Sequence, residues 1–431
     1  MIPQVMHRKK NSPWKVFVAI FLGALFGIWA GPDRSFFEVT YLSTLEVLSS
    51  IFLNALTLVV VPLVSSSIIT GIARIGSDST FGRLGGKTFA SYLGTNFLAV
   101  LTGLLFVNLF SPGASFPHDS LINPEAFDQR FLQSSSTLQS ILSILQQIVP
   151  PNVVQAFSGG HMLGLIFFSL LFGYAISKID AHAATNLQNF WQGIFQAMIR
   201  VTHIIMKFLP YGVFCLVGKV FATTGLNSLS ALGYFTLTVV TAFSVFMFLV
   251  LPLVLKFVAR VNPIRHFKAM YPALVTAFST SSSSATLPVT IDCVEKRAGV
   301  SNRICSLVVP LGTSINMSGS ALYECIAALF VAQAYGLDLS MATQILVVLL
   351  TMIASIGTAG VPGGGLVAII VILRSIGLPP EGIGLFIAVE RLLDMCRSTV
   401  NVFSDSCCAV LVASSEGETV LDKDPSDISS D

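Results

Sequence analysis

Charge is what this chain has least of. Lys, Arg, Asp and Glu make up 11% of its 431 residues while 53% are hydrophobic, against ~25% charged in a soluble domain. That balance excludes a soluble fold and marks an integral membrane protein, with the lipid bilayer as its surroundings. The net charge is only +2, and no basic patch is interleaved with aromatics. Nucleic acid is thereby excluded as a partner.

Other absences narrow the chemistry. The seven cysteines are odd in number, form no CxxC pair and sit mostly inside apolar runs, so there is no disulfide framework. The six histidines show no HExxH or comparable spacing, and neither a resident metal nor another cofactor is expected. No histidine follows His266, and no lysine lies between Lys296 and Lys423. A membrane-embedded hydrolase using Ser281 to Ser284 is the alternative from another class, but it lacks a nearby His or Lys to activate the nucleophile. Arg8, Lys9 and Lys10 precede the apolar run Val16 to Ala30, yet Ile28 and Ala30 make a poor cleavage site. The run reads as a retained first span.

Apolar windows near the ~20 residues that cross the hydrocarbon core fall at 14–31, 43–75, 87–111, 140–179, 187–220 and 229–258. Pro150 and Pro151 interrupt the fourth and Pro210 the fifth, and the second is long enough that it must tilt or project. Arg74, Arg83 and Lys87, and later Lys256, Arg260, Arg265 and Lys268, fall on the side shared with the N-terminus. The positive-inside rule makes that side cytoplasmic. Both termini are expected there, and the compact loops suggest a bacterial inner membrane.

After residue 265 the apolar segments are broken near their middles. Segment 266–296 is interrupted by the run Ser279 to Pro288, and segment 341–375 by Gly357 to Gly365. Irregular backbone at membrane depth survives only where it lines a cavity or is buried in protein, and paired breaks point to a transporter built from inverted repeats. Between them, span 304–334 carries Gly312 to Ser320, where Asn316 and Gly319 weaken the helix and serine hydroxyls offer oxygen ligands. Glu324 follows in apolar surroundings; burial disfavours its charged form, which makes it a proton-binding candidate.

The last apolar stretch, Leu385 to Val412, carries Glu390, Asp394, Arg397, Asn401 and Asp405 at spacings of four, three, four and four. At ~100° per residue all five lie within roughly 80° of one helix face. Each ionised group would cost about 2.5–3.5 kcal/mol at a bilayer centre, so the four together approach roughly 10 kcal/mol. The stripe cannot face lipid. Three acids, one base and an amide exceed what a structural ion pair needs, and they predict a site for an ion or charged solute.

The strings SSSSATLP, NMSGSALYE, SIGTAGVPGGG and DMCRSTVNVFSD, in this order, resemble the dicarboxylate/amino acid:cation symporters, over nearly the whole chain and most closely from 266 to 412. The resemblance implies an all-α membrane protein of eight transmembrane helices and two re-entrant helical hairpins, working as a homotrimer of inverted-repeat elevator transporters. Residues 1–265, the first six spans, would contain most of the trimerisation scaffold. Residues 266–413 would form the core of the transport domain, with the second hairpin as its gate, and 414–431 an acidic cytoplasmic tail, read as a solvated, disordered end.

By that resemblance the substrate is L-glutamate or L-aspartate, co-transported with Na⁺, H⁺ or both. Arg397 would take the side-chain carboxylate, Asp394 the amino group and Asn401 the α-carboxylate, with Ser320, Ser398, Ser283, Val361 and Gly365 completing the pocket. The nearest alternatives are a neutral amino acid and a C4-dicarboxylate, and Asp394 argues against the second, which brings no amine to a buried carboxylate. One sodium site would use Gly312, Asn316, Asn401 and Asp405, and a second Ser314, Met317, Ser355, Ile356 and Thr358. A third would use Tyr92, Thr95, Asn96 and Asn316 with residue 318. Here the chain departs from the family, which usually has Asp where Ser318 stands. Ser320 replaces a usual Thr, and Ser281 stands where some relatives have Arg. Glu324 matches the proton carrier of the animal transporters, so protons are expected to replace part of the sodium coupling.

Overall fold

The computed structural model describes residues 14–31, 34–36, 39–76, 82–115, 149–158, 162–224, 227–337, 339–357 and 364–421. Helices dominate. The exception is a two-residue antiparallel pairing of Ser35–Phe36 with Val39–Thr40, which turns the chain from α1 (Trp14–Ala30) into α2 (Tyr41–Gly76). Then come α3 (Gly82–Phe110), α4 (Val153–Ser158), α5 (Met162–Ile176), α6 (Ala181–Ile205) and α7 (Leu209–Thr224). Among the described residues five stretches are long and apolar enough to cross a membrane: Tyr41–Ala73, Arg83–Ala114, Ala181–Thr223, Ser230–Ala259 and Asn302–Ala334.

The first segments follow the expected windows with two adjustments. Part of the fourth, 140–148, lies outside the described residues; its remainder is α4, capped by Asn152 through Val154 N–H at 2.8 Å, and α5. In the fifth the break falls at a 3₁₀ turn, Met206–Phe208. Pro210 is the second residue of α7, where a missing N–H costs no helical bond. α1 runs parallel to α7, and the two backbones nearly touch: a β-carbon on Gly27 would lie 2.3 Å from Gly218 O. Small residues permit such an approach where no hydrophobic drive between helices exists.

α8 (Asn227–Val245) continues through π-helical turns at Phe246–Val250 and Leu255–Ala259, then stops at Arg260 in the left-handed region. Asn262 caps α9 (Pro263–Thr280). The serine run breaks the next pair: Ser281 has φ +51° and Ser282 caps α10 (Ser283–Asp292) through Ala285 N–H. A second break falls at Asn316 and Met317, between α11 (Asn302–Ile315) and α12 (Ser318–Ala334). α13 (Met341–Gly357) and α14 (Gly364–Ser375) follow; residues 358–363, including Thr358 and Val361, lie outside the described residues. A 3₁₀ turn at Pro380–Leu385 leads into α15 (Ile387–Ser415).

α12 is the centre of the molecule, buried along nearly its whole length and packed by α3, α8, α13, α14 and α15. A helix apolar on every side belongs in such a place. α15 crosses it, polar stripe inward, and also packs on α9, α10 and α11.

One expectation is overturned. Residues 416–421 do not form a solvated end, because their side chains find partners. Glu416 pairs with Arg83 (2.8 Å) and Lys87 (2.5 Å) at the start of α3. Glu418 accepts from Ser301 N (3.0 Å) and Oγ (2.5 Å), and Arg265 Nη1 donates to Leu421 O. Val420 and Leu421 are buried, an apolar anchor among the acids that made the segment look solvated.

Candidate functional site

The polar stripe of α15 is buried throughout, and its members pair with one another and with α12. Arg397 bonds Asp394 through Nη2, and its Nη1 lies 3.6 Å from Glu390 Oε1. Tyr323 donates its hydroxyl to Glu390 Oε2, and the guanidinium stands 5.5 Å from the Tyr323 ring centre. Arg391, partly exposed, approaches Asp394 at 3.4 Å. Three of the expected five thus form one cluster whose orientation depends on a tyrosine from another helix. Arg397 Nη1 and Glu390 Oε1 carry no hydrogen bond among the described residues. A buried guanidinium edge in that condition is an acceptor's natural partner.

That edge faces α14. A β-carbon on Gly365 would lie 1.7 Å from Arg397 Nη1, so only glycine leaves room for the guanidinium there. Glu324, fully buried one residue beyond Tyr323, acts electrostatically on Arg397.

One turn along, Asn401 closes the break before α12. Its Oδ1 accepts from Gly319 N (2.8 Å) and Ser320 N (3.2 Å), and its Nδ2 donates to Ser320 Oγ (3.2 Å). These are backbone donors that the interrupted helix leaves without intrahelical partners. Gly319 is needed at the crossing, since a β-carbon there would come 2.7 Å from Arg397 O.

A second cluster lies a further turn along. Asn316 Nδ2 donates to Asp405 Oδ1 (3.0 Å), and Thr95 Oγ1 donates to Asn316 Oδ1 (3.0 Å). The closeness of Gly312 brings its backbone to the same carboxylate, where a β-carbon would be 2.7 Å from Asp405 Oδ1. Ser318 Oγ lies 2.8 Å from Asn96 Oδ1, 3.1 Å from Asn316 Oδ1 and 2.9 Å from Ser404 Oγ, and Tyr92 donates to Val308 O. Gly312, Asn316 and Asp405 are thus brought together, as are Thr95, Asn96, Asn316 and Ser318. Oxygens around one carboxylate suit a hard monovalent cation.

The remaining expected residues are less joined. Ser314 is exposed on α11, Met317 is buried at the break, and Ser355 Oγ donates to Met352 O within α13. α11 and α13 pack together, but no hydrogen bond among the described residues links these three; Ile356 is the penultimate residue of α13, and Thr358 lies outside the described residues. Ser283 opens α10 and Ser398 sits on α15; both are buried, on elements that touch.

Ser404 and Cys408 were not expected. Cys408 Sγ is 3.5 Å from Thr95 Oγ1 and 3.6 Å from Asn316 Nδ2, and Ser404 Oγ accepts from Asn316 Nδ2 at 3.2 Å. Both lie on the face of the charged stripe, so the 3.6-residue period contained the signal.

Residues 13–415 match the family described as the sodium:dicarboxylate symporter family. A proton/sodium-glutamate symport protein of Bacillus caldotenax is 36% identical over 414 residues, covering 95% of this chain and 96% of that protein. A proton/glutamate-aspartate symporter of Escherichia coli (strain K12) is 34% identical, covering 94% and 93%. Excitatory amino acid transporter 3 of Homo sapiens is 32% identical, covering 92% and 86%.

Proposed function

Because the chain belongs to the sodium:dicarboxylate symporter family, we propose that it takes up L-glutamate or L-aspartate by secondary active symport with Na⁺ and H⁺. The observation that carries this reading is the buried Arg397, whose Nη1 edge lacks a hydrogen-bond partner among the described residues and abuts Gly365 while Asp394 holds the other edge. An acidic amino acid supplies the matching set, a carboxylate for the guanidinium and an ammonium for Asp394. Asn401, Ser398, Ser320, Ser283, Val361 and Gly365 complete that pocket.

Asp405, with Gly312, Asn316 and Asn401, is the sodium site, since its carboxylate neutralises the ion. Ser314, Met317, Ser355, Ile356 and Thr358 form a second. At Tyr92, Thr95, Asn96, Asn316 and Ser318 the hydroxyls of Thr95 and Ser318 already reach Asn316 Oδ1 and Asn96 Oδ1, and residue 318 supplies no carboxylate, so this position is assigned no sodium. Glu324 carries the proton instead. The working unit is a homotrimer in a bacterial inner membrane, each protomer having eight spans and two hairpins and both termini in the cytoplasm. The core of the transport domain, 266–413, slides against a scaffold drawn mostly from 1–265.

Uptake into proteoliposomes tests this. Labelled L-glutamate or L-aspartate should accumulate under an imposed Na⁺ gradient, accumulate further when an inward proton gradient is added, and be displaced by the other acidic amino acid but not by succinate. No accumulation of either substrate would overturn the reading, and displacement by succinate would turn it toward a C4-dicarboxylate.

A further inference from the structure

Away from the polar stripe, α1, α2, the end of α6 with the 3₁₀ turn that follows it, and α7 enclose an apolar slot of about 710 Å³. Leu48, Ile51 and Ala55 form one wall, and Ile204, Phe208 and Phe214 the other. Phe52, 6% exposed, is the back. The mouth opens on the outer face of helices long enough to span: Ile51 and Phe208 are each 59% exposed. From Thr44 to Ala55 the slot follows α2 for eleven residue-to-residue steps, about 16 Å at the helical rise. One leaflet of hydrocarbon is about 15 Å deep.

The two ends differ. Near Tyr41, rings gather: Trp29 and Phe26 lie 5.6 Å and 5.7 Å from the tyrosine, and the Arg34 guanidinium stands 4.7 Å over Trp29. Lys219, nearby on α7, is held by Glu46 at 3.1 Å. Aromatic rings with a cation mark the headgroup level of a membrane protein, whereas the far end at Ala55 and Phe208 is apolar. The slot thus has the polarity of an amphiphile, head at one end and tail along the rest.

We propose that it holds an acyl chain of a membrane glycerophospholipid, with the lipid phosphate at Arg34. The asymmetry of its ends, rings and a guanidinium at one and apolar side chains at the other, suits an amphiphile better than a helix of a second copy. The sequence around Arg34 also contains Asp33 and Glu38, so the head end is not basic overall. Recognition falls on the phosphate common to these lipids rather than on net headgroup charge.

The experiment uses the whole protein in vesicles containing a trace of phosphatidylcholine with a photoactivatable diazirine midway along one acyl chain. After irradiation, labelled peptides are mapped by mass spectrometry. Label on residues 44–55 and 204–215 should exceed, several-fold, label on the equally exposed α3 face at Leu105 and Leu109. Ala55→Phe, which fills the slot, should remove that excess and leave α3 labelling unchanged; Ile51→Trp serves if the first variant does not fold. Replacing the probe by phosphatidylglycerol with the same chain should change nothing. Slot labelling no higher than that of α3, labelling that survives both fillings, or an unlabelled slot whose Leu48→Cys variant crosslinks between copies would each overturn the proposal.

Discussion

Arg397 and Gly365 occupy one space: a β-carbon on the glycine would lie 1.7 Å from the Nη1 of the arginine. Two consecutive helices, α14 and α15, meet there without an intervening side chain, and the guanidinium edge they leave carries no hydrogen bond among the described residues.

Gly365→Ala should therefore act on binding before stability. The atom met first is the far end of a long side chain, which moves at small cost, but in moving it leaves the position where a carboxylate is received. Losing a charge-assisted pair costs about 1.5–3 kcal/mol, so the glutamate Kd should rise roughly tenfold to a hundredfold by calorimetry. Gly319→Ala is the contrast. Its β-carbon would meet backbone, Arg397 O at 2.7 Å, so overpacking should lower stability by about 1–3 kcal/mol, visible as a lower thermal midpoint in detergent.

Ser318→Asp should make the chain more sodium-dependent. The new carboxylate would face Asn96 Oδ1 and Asn316 Oδ1, now reached by a hydroxyl at 2.8 Å and 3.1 Å, and acceptors facing acceptors repel unless a cation lies between them. Thermal midpoints measured against Na⁺ should rise more steeply in the variant than in the parent, starting from a lower value without sodium. Parallel slopes would show that the position takes no ion.

Glu324→Gln keeps the shape of a fully buried side chain while removing its proton equilibrium. Glutamate uptake under a sodium gradient should lose its dependence on a superimposed pH gradient, while equilibrium exchange between loaded vesicles continues. An unchanged pH response would assign the proton elsewhere.

The C-terminal contacts are open to a pH test. Hydrogen bonds from Lys87 and then Arg83 hold the Glu416 carboxyl below its ordinary value of 4.5. A group depressed in the folded state stabilises above the unfolded value and loses that contribution as pH falls through the folded one. The thermal midpoint of the parent should therefore fall more than that of Glu416→Gln between about pH 5 and pH 3, and the two should converge at the acid end. Truncation after Ser415 should destabilise more than truncation after Leu421, because Glu418 satisfies Ser301 N–H at the start of α11.

How much of this was legible in the sequence varies with the interaction. The face of α15 was, because lipid makes charge expensive and helical period places it. The breaks at Ser281 and Asn316 were too, since serine, glycine and asparagine weaken a helix wherever they cluster. Ser404 and Cys408 escaped because a hydroxyl or thiol carries no charge to draw the eye, although both share the stripe's face. Tyr323 could be linked to Glu390 only through tertiary packing, as α12 and α15 lie 67 residues apart at that contact. Residues 416–421 were misread because the composition there is acidic, whereas their partners Arg83, Lys87 and Ser301 come from distant parts of the chain; 422–431 lie outside the described residues.

Those last contacts have a mechanical consequence. Glu416, Glu418 and Leu421 tie the end of α15 to the starts of α3 and α11 and to the Arg265 turn of α9. Four helix ends that share one anchor lose their independent degrees of freedom. Dyes placed on any two of them should report a constant separation through a transport cycle, an internal ruler against which movement elsewhere in the chain can be read.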